Sequence, residues 1–160
     1  MVHAAAESGA DLDAPGQQGR VTIIHHPDVR RMLMLMKSGI EAMRALCYVA
    51  AASMDYIHHA GSDEIKATHT ARFALLTPVV KAWCTELGQE LSSLGVQIHG
   101  GMGYIEETGA AQHFRDARIA TIYEGTTGIQ ALDLMGRKVL RDSGLSIRSL
   151  IGEMREVENA

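Results

Sequence analysis

Aromatic side chains make up only 4% of these 160 residues, so a sheet built on Tyr, Phe and Trp has little material. Proline occurs three times, which leaves long stretches free of the residue that most often interrupts a helix. Cysteine occurs twice, at Cys47 and Cys84, without C-x-x-C spacing. Both fall inside expected helices and read as buried, reduced thiols without assigned chemistry. No apolar run approaches the roughly 20 residues that span a bilayer. The opening MVHAAAESGADLDAPGQQGR has neither the basic nor the apolar region of a secretory leader, so a cytoplasmic location is expected. A formal charge of -4 and a pI near 6.0 leave no basic surplus for phosphates, which argues against a nucleic-acid partner. The eight histidines form no H-x-x-x-H pattern and no cluster, so no metal site is expected.

What is abundant is aliphatic. Hydrophobic residues reach 46%, carried by Leu, Ile, Val, Ala and nine Met, a composition for one all-α domain of packed helices. Residues 1–20 are small and polar and are expected to form a disordered tail. His25-His26-Pro27-Asp28 marks a helix start, because the missing proline N–H would have no partner in a first turn. From there Val29, Leu33, Met36, Ile40, Met43, Cys47, Ala50, Met54 and Ile57 recur in steps of three and four, predicting a packing seam. Lys37, Glu41, Arg44 and Asp55 lie off it. Gly61 is the expected left-handed cap, with Ser62 or Asp63 opening the next helix. That helix runs over about 64–94 with Leu76, Val80, Trp83, Leu87, Leu91, Leu94 and Ile98 on one stripe; Pro78 predicts a kink or two helices end to end. Two more segments follow, about 109–122 and 126–141, the latter closed by Gly144. The pattern is an antiparallel helical bundle over 21–145, with 146–160 as a C-terminal extension.

Two irregular stretches interrupt the helices. In Gln97-Ile98-His99-Gly100-Gly101-Met102-Gly103-Tyr104, three glycines in four positions open the backbone to close approach by a ligand, or simply reverse the chain between helices. In Tyr123-Glu124-Gly125-Thr126-Thr127-Gly128, Thr126 reads as a helix cap, while Glu124 is either an exposed loop charge or a functional carboxylate. Arg115, Asp116 and Arg118 read as a salt-bridged surface.

Taken together, QIHGGMGY followed by FRDARIATIYEGTTGIQ resembles the signature of the acyl-CoA dehydrogenase flavoenzymes. In that family a Q-x-x-GG-x-G-[YF] loop precedes R-D-A-[RK] and then Y-E-G-T. The flanking HHPDVRRMLMLMKSGIEAMRAL and GRKVLRD are similar to the branch that includes the 3-methylmercaptopropionyl-CoA dehydrogenases. The resemblance implies Glu124 as catalytic base and Gly125 against the acyl-CoA thioester. It implies Gln97, Ile98, His99, Gly100 and Gly101 as contacts to the FAD of a neighbouring subunit, and Thr126, Thr127 and Gly128 as contacts to the FAD of the same subunit. Many relatives carry Gln where Gly128 stands, so a contact there would be made by backbone.

The implied reaction is α,β-dehydrogenation of an acyl-CoA, with FAD taking the β-hydrogen as hydride and electron-transfer flavoprotein accepting the electrons. Complete members assemble as dimers or tetramers and carry an N-terminal helical domain and a middle β-barrel. Neither is evident here, and the first helix of the C-terminal bundle is expected to be missing too. The free chain is therefore expected to bind FAD poorly and turn over little substrate. A fragment of an enzyme, a split subunit, and an inactive helical interaction module derived from the family all remain open on the sequence.

Overall fold

The computed structural model describes Thr22–Asn159; the expected tail over 1–20 lies outside the described residues. A single 3-10 turn, Ile23–His25, leads into α1 (Pro27–His59). Pro27 opens the helix as expected: the Arg30 N–H donates to His26 O at 3.0 Å, and the absent proline N–H leaves nothing unsatisfied. Asp28 in the first turn pairs with Arg31, and His58 and His59 occupy the last, so both ends suit the helix dipole.

The seam of α1 is partly as predicted. Val29, Leu33, Met36, Met43, Ala50, Met54 and Ile57 are buried or half-buried, but Ile40 and Cys47 are exposed, and Gly39 and Leu46 turn inward instead. Positions 39 and 40, like 46 and 47, are neighbours on the two flanks of one heptad seam. Periodicity finds the seam; only the covering helix decides which flank is buried. Off the seam, Lys37 and Glu41 form an exposed pair at 3.6 Å.

Gly61 does not take the left-handed conformation expected of it; α1 ends instead with the Ala60 N–H on Tyr56 O at 3.0 Å. Ser62 O then accepts the Lys66 N–H at 3.1 Å as α2 (Asp63–Ile98) begins. This is one helix of 36 residues running through Pro78, not two. The proline ring is fully buried, and the preceding Thr77 hydroxyl donates to Phe73 O at 2.7 Å. Leu76 and Leu91 are core as predicted. Trp83 is 41% exposed, and Leu75, outside the predicted stripe, is among the most buried residues.

Beyond α2 come α3 (Gly101–Tyr104), a 3-10 turn at Glu106–Thr108, α4 (Ala110–Ala120), α5 (Thr127–Leu132) and α6 (Leu145–Glu158). No strand occurs among the described residues, and the fold is all-α. Residues Asp133–Val139, directly after α5, are wound as a π-helix, a widened turn rarely sustained over more than a few residues. The C-terminal extension is mostly helical, as α6.

The described residues fall into two compact units: those up to Glu41 with Gly88–Arg118, and Ala42–Leu87 with those from Ile119 onward. In the first, Met32, Leu91 and Ala111 are buried. In the second, Ala50, Leu75 and Leu76 form the core, each buried leucine contributing about 1.5–3 kcal/mol. Ser53, 1% exposed, donates to Val49 O at 3.1 Å and meets His69 Nδ1 at 3.4 Å; the His69 ring stacks on Tyr56 at 4.1 Å. Within this unit, these contacts hold the last turns of α1 against the first turns of α2. In the same unit α6 is tied to α2 by the Arg72–Glu153 ion pair, both carboxylate oxygens facing one guanidinium nitrogen. The start of α6 is capped by Asp142, which accepts the Gly144 and Ser146 N–H groups at 2.9 Å each. The Ser146 hydroxyl, and then these backbone donors, hold the Asp142 carboxyl below its ordinary range.

The cysteines are not both buried as expected: Cys47 is exposed and Cys84 half-buried, and both are free. Burial first, and then the adjacent Cys47 thiol, pushes Cys84 up to about 11. Because the thiolate is the nucleophile, iodoacetamide at pH 8 is expected to alkylate Cys47 about 100-fold faster than Cys84. The Cys84 rate should keep climbing as pH rises toward 11. Peptide mass spectrometry over time measures both, and equal rates at pH 8 would contradict this environment.

Candidate functional site

In the first unit, the glycine-rich stretch closes the end of α2. Gln97 and Ile98 are its last residues, the former exposed and the latter half-buried. The half-buried His99 directs Nδ1 at Gly95 O, 2.8 Å away. Since a carbonyl only accepts, Nδ1 carries the hydrogen in this contact. Gly100, at φ 60 and ψ -145, turns the chain, and α3 begins at Gly101. Among the described residues, and apart from chain neighbours and the backbone of the same helix, no atom lies within 4 Å of a Cβ built on Gly100 or Gly101, so the backbone there is open to an approaching group.

Gly103 serves packing instead. It is buried, and a Cβ there would sit 2.2 Å from Val96 O and 2.8 Å from His99 Cβ. Because the obstructing atom is backbone, Gly103→Ala is expected to cost about 2–3 kcal/mol of stability. Urea unfolding followed by circular dichroism checks this, and an unchanged midpoint would show that α3 need not pack so closely. Further on, the Thr108 hydroxyl donates to Met102 O at 2.7 Å, and Arg115 pairs with Glu106 at 3.4 Å on the exposed face of α4.

In the second unit, the turn joining α4 to α5 carries the carboxylate. The Ile122 and Tyr123 N–H groups both donate to Ile119 O at 3.0 Å, ending the helix, and Thr121 is buried at 3% exposure. Glu124 then takes φ 54 and Gly125 φ 96. A non-glycine residue in the left-handed region stores about 1–3 kcal/mol and persists only where its surroundings hold it. The surroundings here are specific. Gln130 Nε2 reaches Glu124 O and Gly125 O, each at 3.4 Å, and the Thr127 hydroxyl donates to Glu86 of α2. A Cβ on Gly125 would lie 2.8 Å from Gln130 Nε2 and 3.3 Å from Ile129 Cγ2. Thr126 stands at the N-cap of α5 as expected, but its side chain makes no capping hydrogen bond. The Glu124 side chain is exposed.

Residues 4–140 match the family described as acyl-CoA dehydrogenase, C-terminal domain. The chain belongs to the acyl-CoA dehydrogenase family. It is 56% identical over 131 residues to the 3-methylmercaptopropionyl-CoA dehydrogenase of Ruegeria pomeroyi, covering 82% of this chain and 22% of that protein. It is 39% identical over 155 residues to the broad-specificity linear acyl-CoA dehydrogenase FadE5 of Mycobacterium tuberculosis, covering 92% and 25%. A butyryl-CoA dehydrogenase of Syntrophomonas wolfei is 37% identical over 134 residues, covering 84% and 22%. The chain thus spans about a quarter of the length of the curated relatives it matches.

Within this acyl-CoA dehydrogenase domain, Gln97 to Gly101 belong to the first unit and Glu124 to Gly128 to the second. Each set is contiguous and lies at a helix junction. Among the described residues, Glu124 is exposed. Two residues escaped the sequence reading. Gln130 stood in the quoted motif without a role, and its pattern gave a faint signal. Glu86 gave none, because it lies 41 residues before Thr127 on another helix. Among the described residues, no group of three His, Cys, Asp or Glu is arranged to hold a metal ion, and no helix is long and apolar enough to cross a membrane.

Proposed function

We propose that this chain supplies the catalytic turn and part of the flavin site of an FAD-dependent acyl-CoA dehydrogenase, with Glu124 as the base that removes the α-proton of an acyl-CoA thioester. The observation that carries this reading is the strained Glu124–Gly125 turn, held from two sides, at the position where the family signature places its carboxylate. A solvated loop charge has no need of a backbone conformation that costs free energy.

The residues present fit the cofactor. Gly100 and Gly101, with open space where a side chain would stand, would offer their backbone to the FAD held by a second copy of the chain. Gly128 and Thr126 are exposed at the start of α5. Thr127 donates its hydroxyl hydrogen to Glu86, so its contact with the flavin would use the backbone N–H. When bound, FAD supplies the two-electron acceptor, and electron-transfer flavoprotein is the expected onward partner. Glu124 takes the α-proton while its own N–H donates to the thioester carbonyl, where enolate charge develops. Gly125, lacking a side chain, leaves room for the thioester against the backbone.

The test is a chimera in which this chain replaces the matching segment of the Ruegeria pomeroyi relative. The expected result is a yellow protein whose flavin absorbance is bleached anaerobically by 3-methylmercaptopropionyl-CoA or butyryl-CoA. A chimera that binds flavin and is bleached by neither would overturn the catalytic reading and leave a helical interaction module.

A further inference from the structure

We propose that Glu86 is a positioning residue for the proposed base: by accepting the Thr127 hydroxyl it anchors the Glu124–Gly125 turn to α2. The inference rests on the catalytic reading of Glu124. A left-handed Glu followed by a glycine at φ 96 would relax unless something outside the turn held it. Two ties are present. The Gln130 amide reaches Glu124 O and Gly125 O, but at 3.4 Å each, the long limit of a hydrogen bond, and it comes from α5, which moves with the turn. The other tie is short and charge-assisted, from a hydroxyl to a carboxylate, and comes from a different helix.

Both partners are half-buried, so water competes poorly for either. α2 is the longest helix here, and Leu75, Leu76 and Leu91 along it are core. Glu86 therefore offers a fixed point for Thr127, which lies three residues after Glu124. A base must stay within a few tenths of an ångström of its target, so a turn free to swing loses rate before it loses substrate.

Two measurements test this. In the 160-residue chain, 15N relaxation order parameters for Glu124 to Thr127 are expected near the rigid value of about 0.85 and to fall below about 0.6 in Thr127→Val and Glu86→Ala. Thr127→Ser, which keeps the hydroxyl, should restore them, and α2 amides should not change. In the chimera, Thr127→Val is expected to lower kcat per bound flavin about 30-fold with KM nearly unchanged, and Thr127→Ser to recover it. Order parameters indifferent to Thr127→Val, or a Ser variant as loose as Val, would overturn the anchor. If the unsubstituted chimera bleaches and Thr127→Val bleaches as fast, this proposal alone fails. If the unsubstituted chimera never bleaches, the catalytic reading fails first and takes the positioning role with it.

Discussion

In the chimeric enzyme, Glu124→Gln is expected to slow flavin bleaching by acyl-CoA about 10³-fold, the scale of a lost general base, while flavin content stays unchanged. The substitution keeps the size of the side chain and the left-handed backbone, and it leaves the Glu124 carbonyl to accept from Gln130 as before. What it removes is the only atom set in the turn able to take a proton. Glu124 is exposed within this chain, so the change places no unpaired group in the core and should leave thermal stability within about 0.5 kcal/mol. Lost rate with intact stability and flavin separates a catalytic carboxylate from a structural one. Stopped-flow absorbance of the bleaching step gives the number.

Gly125→Ala should produce the second largest effect, by a different route. A methyl group at φ 96 is strained in itself, and it would sit 2.8 Å from Gln130 Nε2 and 3.3 Å from Ile129 Cγ2. The glutamine head can retreat, but only by giving up its bonds to Glu124 O and Gly125 O. The turn would then shift, and the methyl would occupy the space proposed for the thioester. A displacement of about 1 Å costs about 10²-fold in rate, so kcat/KM should fall by that order. Stability should fall by about 1–2 kcal/mol as well. Unlike Glu124→Gln, this variant should raise KM together with lowering kcat, and steady-state kinetics with butyryl-CoA tells the two apart.

The sequence was most informative where local chemistry decides the outcome. Pro27 after His25-His26 marks a helix start because a first turn has no use for a proline N–H, and α1 begins there. The three-and-four spacing finds the inward side of α1, since helical geometry alone puts those residues together. It could not choose between Ile40 and Gly39, or between Cys47 and Leu46, because that depends on where another helix lies. Pro78 suggested a kink or two helices end to end; α2 continues through it as one helix with the ring buried, so packing outweighed one lost hydrogen bond. Within the C-terminal extension, Ile147, Leu150, Ile151, Met154 and Val157 repeat with helical spacing, and that stretch is α6. At the candidate site, the Gly-rich and Glu-Gly stretches were legible as motifs. The left-handed Glu124 and its tie to Glu86 were not, because they arise from contacts across 41 residues of chain.

The account turns on a proton leaving the α-carbon for Glu124. The most direct measurement uses the flavin-loaded chimera and an acyl-CoA analogue whose β-position cannot give up hydrogen, and follows loss of the α-proton signal in D2O by NMR. The account predicts steady exchange with Glu124 present and exchange reduced about 10³-fold in Glu124→Gln at equal flavin occupancy. Exchange at the same rate in both proteins would contradict it, since some other group would then be taking the proton.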